Sequence, residues 1–256
     1  MTLLFALAFL NAPARAQSPA SDQAQVGLVA HDAATTAEAG NFLPTTIAPR
    51  TDSQTGYVRA LGGYDSARRS GQFEALADVT VIGPLAARVG VLYSQRPNSL
   101  RPSVGLRVQA LTQERFGFDF GVGGYYRPEG FTEAEGEIEL VLAFARSFDR
   151  LGLFANLVYG QDPDAEERDG ELRLAALYTI SEAFLAGFDA RVRVDLGSEE
   201  GKRRAEGGAK YDVVVGPTAS YALGPVAAFA QAGASVFGVS PARIGAVALL
   251  GLAGAI

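Results

Sequence analysis

The sequence contains no cysteine and a single histidine, His31, among its 256 residues. Without cysteine, the chain can form neither a disulfide framework nor a thiolate metal site. The histidine lies in VAHDAATTAEAG, a segment without periodicity, where a lone imidazole is far more often a bystander than a ligand or general base. The sequence therefore predicts no metal site and no cofactor.

The chain also lacks an excess of positive charge and any long apolar run. Its formal net charge is −6, whereas a nucleic-acid binder needs a basic surface to contact phosphates. A nucleic-acid partner is therefore not expected. No segment approaches the run of about 18 apolar residues that a membrane-spanning helix requires, so helical membrane spans are not expected either.

The first residues have the features of a secretory signal. The apolar run LLFALAFL, residues 3–10, is followed by Asn11, Pro13 and the small-residue pattern Ala14-Arg15-Ala16. This pattern predicts a signal peptide over residues 1–16, although a short buried helix is the alternative. Residues 17–54 are rich in Ala, Thr, Ser, Asp and Pro, which predicts a flexible periplasmic leader.

From residue 55 onward, apolar and polar side chains alternate at every second position. The segment FDARVRVDL, residues 188–196, shows the pattern most clearly. A β-strand explains it, because successive side chains leave opposite faces of the pleat. Twelve such segments can be counted: 55–64, 72–82, 85–94, 103–112, 116–127, 136–146, 151–160, 171–180, 184–196, 210–223, 226–237 and 242–256.

The lengths of these segments and of their connections favour a membrane barrel. Most segments run about 9–14 residues, whereas strands of soluble proteins run about 5–6 and tilted transmembrane strands about 9–11. Connections after even-numbered segments are short, and those after odd-numbered segments are mostly longer and polar. Transmembrane barrels have short periplasmic turns and longer extracellular loops, so both chain ends are expected in the periplasm.

The apolar side of each predicted strand carries no charge at mid-strand. In the second segment, for example, Phe73 and Val79 fall on the apolar side, and Glu74 and Asp78 fall on the other. Tyrosines and phenylalanines recur near the strand ends, where rings with a polar tip prefer the bilayer interface. The apolar side is therefore expected to face lipid.

These features together resemble those of bacterial outer-membrane β-barrel proteins of the porin-like kind. The resemblance covers residues 55–256 and implies an all-β fold, a single closed antiparallel transmembrane barrel of about twelve strands. It also implies membrane lipid and the outer-membrane assembly machinery as partners. Such barrels usually end in an aromatic residue, whereas this sequence ends at Ile256. The enzymes among them resemble one another in using a histidine, and residues 55–256 contain none, so no enzymatic activity is expected.

A soluble barrel or β-sandwich with an apolar interior is the competing fold. Its charged side would face water, as is common in antiparallel sheets. However, about eight strands suffice for a soluble ligand-binding barrel, and twelve long strands would leave a large apolar interior to fill. The membrane barrel is therefore the preferred prediction.

The charged residues of the inward side are the candidate functional residues, as the lining of a pore. Glu137 and Glu139 could in principle perform acid–base chemistry, and the acidic loops DPDAEERD and GSEEG could bind calcium loosely. Solvated charge explains both better, because neither loop has the spacing of a calcium site. The predicted pore-lining residues are Arg59, Glu74, Asp78, Arg88, Arg107, Asp119, Glu137, Glu139, Arg173, Asp189, Arg191, Arg193, Asp195 and Asp212.

Two functions remain open for such a charged interior. The charges could line a narrow passive channel for small polar solutes, or they could pair across strands and fill a non-conducting structural or surface-interaction barrel. Size does not decide, because about 8 strands give a filled interior and 16–18 an open channel. Inward glycines such as Gly90 and Gly121 leave space along one wall, so the narrow channel is preferred.

Overall fold

The alternating segments form twelve antiparallel strands in a computed structural model of the chain. The structure describes residues 56–95, 98–128, 136–163, 168–197, 209–224 and 226–255. The predicted signal peptide and leader, with His31, lie outside the described residues. The strands are β1 (Gly56–Asp65), β2 (Ser70–Ile82), β3 (Leu85–Ser94), β4 (Ser99–Leu111), β5 (Asp119–Pro128), β6 (Gly136–Phe148), β7 (Leu151–Gln161), β8 (Arg168–Ser181), β9 (Phe184–Asp195), β10 (Tyr211–Leu223), β11 (Val226–Phe237) and β12 (Arg243–Ala255).

The sheet closes on itself into a barrel. Each strand pairs with the next along the chain, and β12 returns to pair with β1, from Val58 opposite Gly254 to Asp65 opposite Val247. Closure leaves no strand edge with unpaired amide and carbonyl groups, as a bilayer requires. The prediction of a closed antiparallel barrel of about twelve strands is confirmed.

The connections divide into two rims. At the short-turn rim, two residues join each of four strand pairs, and left-handed conformations at Gly83, Asp149 and Gly224 allow such tight reversals. The β4–β5 connection on this rim contains a single helical turn, α1 (Gln113–Phe116). The opposite rim, here called the long-loop rim, carries the connections after the odd-numbered strands. Among the described residues, no helix has the length and apolar character needed to cross a bilayer.

Most strand boundaries lie within two residues of the predicted ones, but β4, β5 and β8 begin three or four residues away from the predicted positions. β4 begins at Ser99 and not at residue 103. Residues 99–103 pair with β3 alone, because the pairing of β4 with β5 begins at Val104. A proline such as Pro102 is tolerated in a segment that has a strand partner on one side only. β5 begins at Asp119 and not at residue 116, because Phe116 belongs to α1. An Asp119 carboxylate oxygen accepts the Gln113 amide N–H at 2.8 Å and so fixes the start of this helical turn.

The outward face of the barrel is an apolar band. Large side chains such as Phe73, Leu140 and Phe188 are exposed on it. In the described strands, the charged outward residues stand near strand ends, at Arg146 in β6 and Arg168 in β8. An arginine facing lipid at the bilayer midplane costs roughly 2–4 kcal/mol. The barrel therefore presents the surface of a protein that spans a bilayer, which excludes the soluble alternative.

Candidate functional site

The candidate site is the interior of the barrel, which receives every second side chain of each strand. Its buried side chains include charged, amide, hydroxyl and apolar groups. They are not mixed evenly: two arginine–carboxylate clusters lie near opposite rims, and apolar clusters occupy other parts of the wall.

The inner cluster, near the short-turn rim, consists of Tyr57, Asp78, Arg88 and Arg107. Asp78 is only 2% exposed and accepts hydrogen bonds from both arginines, with N–O distances of 2.8 Å to Arg88 and 3.0 Å to Arg107. Arg88 also donates to the Tyr57 hydroxyl at 2.8 Å. One buried carboxylate, Asp78, is thus shared by two buried guanidinium groups.

Strand register explains why these four side chains meet. Tyr57 on β1 is opposite Asp78 on β2, and Asp78 is opposite Arg88 on β3. Arg107 on β4 is one step nearer the rim, opposite Ala86. The small Ala86 side chain leaves room for the long Arg107 side chain to reach Asp78 across β3. The guanidinium group of Arg88 also lies 5.2 Å from the centre of the Tyr125 ring, within range of a cation–π contact.

The outer cluster, nearer the long-loop rim, consists of Arg68, Glu171, Arg173, Arg191 and Asp212. One Asp212 oxygen accepts hydrogen bonds from both Arg68 and Arg191. Glu171 accepts a 2.6 Å hydrogen bond from Arg173 Nε and lies 3.8 Å from Arg191 Nε. Arg191 therefore links the carboxylates of β8 and β10.

Arg68 reaches this cluster because the β1–β2 turn folds over the lumen instead of extending into solvent. Asp65 holds the turn: its Oδ1 accepts the Ala67 amide at 2.8 Å and the Ser235 hydroxyl at 2.7 Å. Ser66 exchanges hydrogen bonds with Ala246 on β12. The turn therefore covers part of the mouth at the long-loop rim.

Further ion pairs line the wall beside the two clusters. Arg59 donates to Glu74 at 2.9 Å, and the inward Arg173 stands on β8, half-way around the barrel from β2. Arg127 pairs with Glu139 at 2.7 Å, and Arg193 pairs with Asp169. The acidic Glu74 of β2 thus faces an arginine from the far side of the barrel.

Apolar side chains occupy the inward side of β6–β9 towards the short-turn rim. Phe154, Leu177 and Leu185 pack there as one buried cluster with Ala145 and Ala175. A second cluster, which includes Phe229 and Leu249, packs along β10, β11, β12 and β1. The apolar cluster of β6–β9, which lies near the short-turn rim, is here called the constriction.

The structure places all fourteen predicted residues on the inward face. Eight are buried: Arg59, Asp78, Arg88, Arg107, Asp119, Glu139, Asp189 and Asp212. Five are half-buried, namely Glu74, Glu137, Arg173, Arg191 and Asp195, and Arg193 is exposed at the long-loop rim. The ion pairs described above join most of them, whereas Asp119 instead receives hydrogen bonds from Gln109 and Gln113.

Sequence reasoning missed several members of these networks. They are Tyr57, Asp65, Arg68, Arg127, Asp169 and Glu171. The two-residue alternation could have found Arg127 and Glu171, which continue the inward positions of β5 and β8. Arg68 and Asp169 fall in segments predicted as loops, and nothing in their local sequence indicates that they turn towards the lumen.

The chemistry that this interior offers is binding to polar groups. Its arginines and carboxylates donate and accept hydrogen bonds along the wall, while the one histidine of the chain lies outside the described residues. Among the described residues, no group of three or more acidic, histidine or cysteine side chains is placed to hold a metal ion. Residues 164–167 and 198–201 of the two acidic loops lie outside the described part of the chain.

No protein-family profile matches the sequence, and no curated protein matches it. Solved structures of outer-membrane porins do match. The NanC porin superposes with a TM-score of 0.56 at 10% identity, covering 78% of this chain and 100% of that porin. The KdgM porin in complex with disordered oligogalacturonate superposes with a TM-score of 0.54 at 10% identity, covering 78% of this chain and 99% of that chain. This chain therefore has the closed antiparallel barrel fold of outer-membrane porins.

Proposed function

We propose that the protein is a narrow passive channel for small polar solutes in the bacterial outer membrane. The observation that carries this proposal is the line of arginine–carboxylate pairs on the inward face, which runs between the two rims of a porin-like barrel. Such groups can replace part of the hydration shell of a polar solute as it passes. The pore-lining residues of the proposed channel are the fourteen inward residues named above, together with Arg127, Asp169 and Glu171.

The charges act on a solute as a transverse field. Glu74 on β2 and Arg173 on β8 have opposite signs and are inward-facing on strands half-way around the barrel from each other. A dipolar solute that passes between them is oriented by the two opposite charges and also forms hydrogen bonds with the wall. The solved complex of the KdgM porin with an oligogalacturonate supports a polar solute for this fold, while the mixed charges of this interior favour no single sign.

The proposed orientation places the short-turn rim and both ends of the barrel in the periplasm. This assignment rests on the general arrangement of outer-membrane barrels, which have short periplasmic turns and longer external loops. It puts the outer cluster and the folded β1–β2 turn at the entrance from outside, and the constriction near the exit. Such a barrel is inserted by the outer-membrane assembly machinery, which is therefore a proposed partner.

One observation favours a second candidate function, a non-conducting structural barrel. Phe154, Leu177 and Leu185 close off the short-turn half of β6–β9, and Asp119 and Asp189 are completely buried. In a structural barrel, the ion pairs would serve to fill the interior, and the loops would carry any binding.

Ion conductance across planar bilayers distinguishes the two functions. Discrete single-channel steps are expected from the purified barrel, with Arg191→Ala shifting selectivity towards cations and Glu137→Ala towards anions. Leu174→Ala, which shortens a lipid-facing side chain, is the matched control and should leave both conductance and selectivity unchanged. A silent membrane, with a barrel that still shows a heat-dependent shift in gel mobility, would contradict the channel and support the structural barrel.

A further inference from the structure

The outward face of β6–β9 contains a groove with a cation at one end. Its volume is about 580 Å³, within the range of pockets that hold small ligands. Large side chains form its walls and alanines its floor. The outward residues that define it are Phe144, Leu153, Leu174 and Phe188 for the walls and Ala155 and Ala176 for the floor.

The groove results from the strand register, which alternates large and small side chains across neighbouring strands. Phe144 is opposite Ala155, which is opposite Leu174. In the next row, Leu153 is opposite Ala176, which is opposite Phe188. The two alanines are therefore diagonal neighbours, and together they form a continuous depression between taller side chains. The Phe144 wall is held by Phe120, whose ring centre lies 4.8 Å away.

Arg146 stands at the end of this groove nearest the short-turn rim. It is opposite Leu153 on β7, and its guanidinium group lies 4.4 Å from the centre of the Phe148 ring. Its side chain is exposed, and no carboxylate in the described part of the chain pairs with it. An outward arginine at this depth faces the interface between lipid tails and headgroups.

We propose that this groove, here called the β6–β9 groove, binds an anionic glycerophospholipid, with one acyl chain along Ala155 and Ala176 and the phosphate against Arg146. Lipid tails are as apolar as the groove, so apolar contact alone gives no preference over bulk lipid. The preference comes from the shape of the depression and from the charge at its end. A basic residue at an anionic membrane surface contributes measurably to binding.

A second outward groove on the opposite part of the barrel provides an internal control. It has a volume of about 790 Å³, and its lining includes Val58, Ala60, Ala75 and Leu252. Arg59, which contributes to this lining, is a buried inward residue that pairs with Glu74. This groove therefore offers a similar apolar surface without an outward cation, and it should show no headgroup preference.

The proposed site is tested by native mass spectrometry of the detergent-purified barrel. The protein is incubated with dioleoylphosphatidylglycerol or with dioleoylphosphatidylcholine, which has the same tails but no net charge. The anionic lipid should be retained about fivefold more than the zwitterionic one, and Arg146→Gln should remove this difference. Ala176→Phe, which fills the floor, should reduce the retention of both lipids, whereas Ala75→Phe in the second groove should leave the preference unchanged.

Several outcomes would overturn this inference. Equal retention of the two lipids by the unaltered barrel, or an unchanged preference in Arg146→Gln, would exclude a phosphate site at Arg146. A barrel dimer that Ala176→Phe dissociates would show that a second copy of the chain occupies the groove instead. Heat-dependent gel mobility establishes that each variant is folded. Lipid retention does not depend on conductance, so failure of the proposed channel leaves this test intact.

Discussion

The ring of Tyr125 on β5 lies against the bare backbone of Gly105, its direct partner on β4. A Cβ atom at position 105 would come within 2.2 Å of Cδ1 of this ring. The ring also covers Gly123 on its own strand, where a Cβ atom would be 2.7 Å from the ring. Glycine at these two positions therefore makes room for an inward tyrosine that contacts Arg88.

We expect Gly105→Ala to destabilise the barrel by about 1–3 kcal/mol, the usual cost of overpacking a filled interior. The free energy of unfolding in urea, measured in lipid vesicles, tests this expectation. Gly124→Ala is the matched control on the neighbouring strand, because a Cβ atom there meets nothing within 4 Å. An equal loss of stability in both variants would show that the Tyr125 contact is not the cause.

Asp78 holds two arginines, so its removal should be more harmful than the removal of a single ion pair. Asp78→Asn removes the carboxylate that Arg88 and Arg107 share in a buried site, and breaking a buried ion pair typically costs about 3–5 kcal/mol. Glu74→Gln, which breaks the half-buried pair with Arg59, should cost less. Urea unfolding of the two variants gives the comparison, and a larger loss in Glu74→Gln would contradict the description of the inner cluster.

The constriction should limit ion flow if the barrel conducts. Leu177 is 1% exposed within the apolar cluster of β6–β9. Leu177→Ala removes three carbon atoms from this apolar cluster and should raise single-channel conductance, although it should lower stability by about 2–5 kcal/mol. Leu172→Ala, on the outward face of the same strand, should leave conductance unchanged. A channel with the same conductance in both variants would place its narrowest part elsewhere.

The apolar band should tolerate charge only near the rims. Leu140 is outward-facing and 48% exposed in the middle part of β6, where an arginine facing lipid costs roughly 2–4 kcal/mol. Phe148 is outward-facing at the last position of the same strand, where the cost falls to about 0–1 kcal/mol. Folding yields of Leu140→Arg and Phe148→Arg in vesicles should therefore differ, and equal yields would argue against lipid contact at Leu140.

The strand number and the direction of most side chains could be predicted from the sequence, because both depend on local alternation alone. Asp189, Arg191 and Arg193 fall on the inward face by their spacing, whatever their partners are. The starts of β4 and β5 could not be placed, since alternation continues through LRPSVG and RFGFDFG. The actual boundaries depend on the neighbouring strand and on the Asp119 hydrogen bond to α1.

The sequence alone could not predict which inward residues form ion pairs with each other, because these pairs depend on how the barrel closes. Arg68 and Asp212 are 144 positions apart and meet only because closure brings the β1–β2 turn to β10. Nor could the sequence predict how much of the barrel interior is filled by apolar side chains. An inward Leu177 and an outward Leu174 look alike in a string of apolar residues, so the constriction could not be distinguished from the lipid face.

The seam between β1 and β12 joins the earliest strand of the barrel to the latest. Until residues 243–255 are available, the backbone of β1 has no partner on that side and the hydrogen bond from Ala246 to Ser66 cannot form. The hydrogen bond from Ser235 to Asp65 needs β11 in the same way. These contacts span 170 and 180 positions, and contacts of such high order make folding slow. A partly synthesised chain therefore has two open edges that would pair with other chains, and it must be kept apart from them until its last strand arrives.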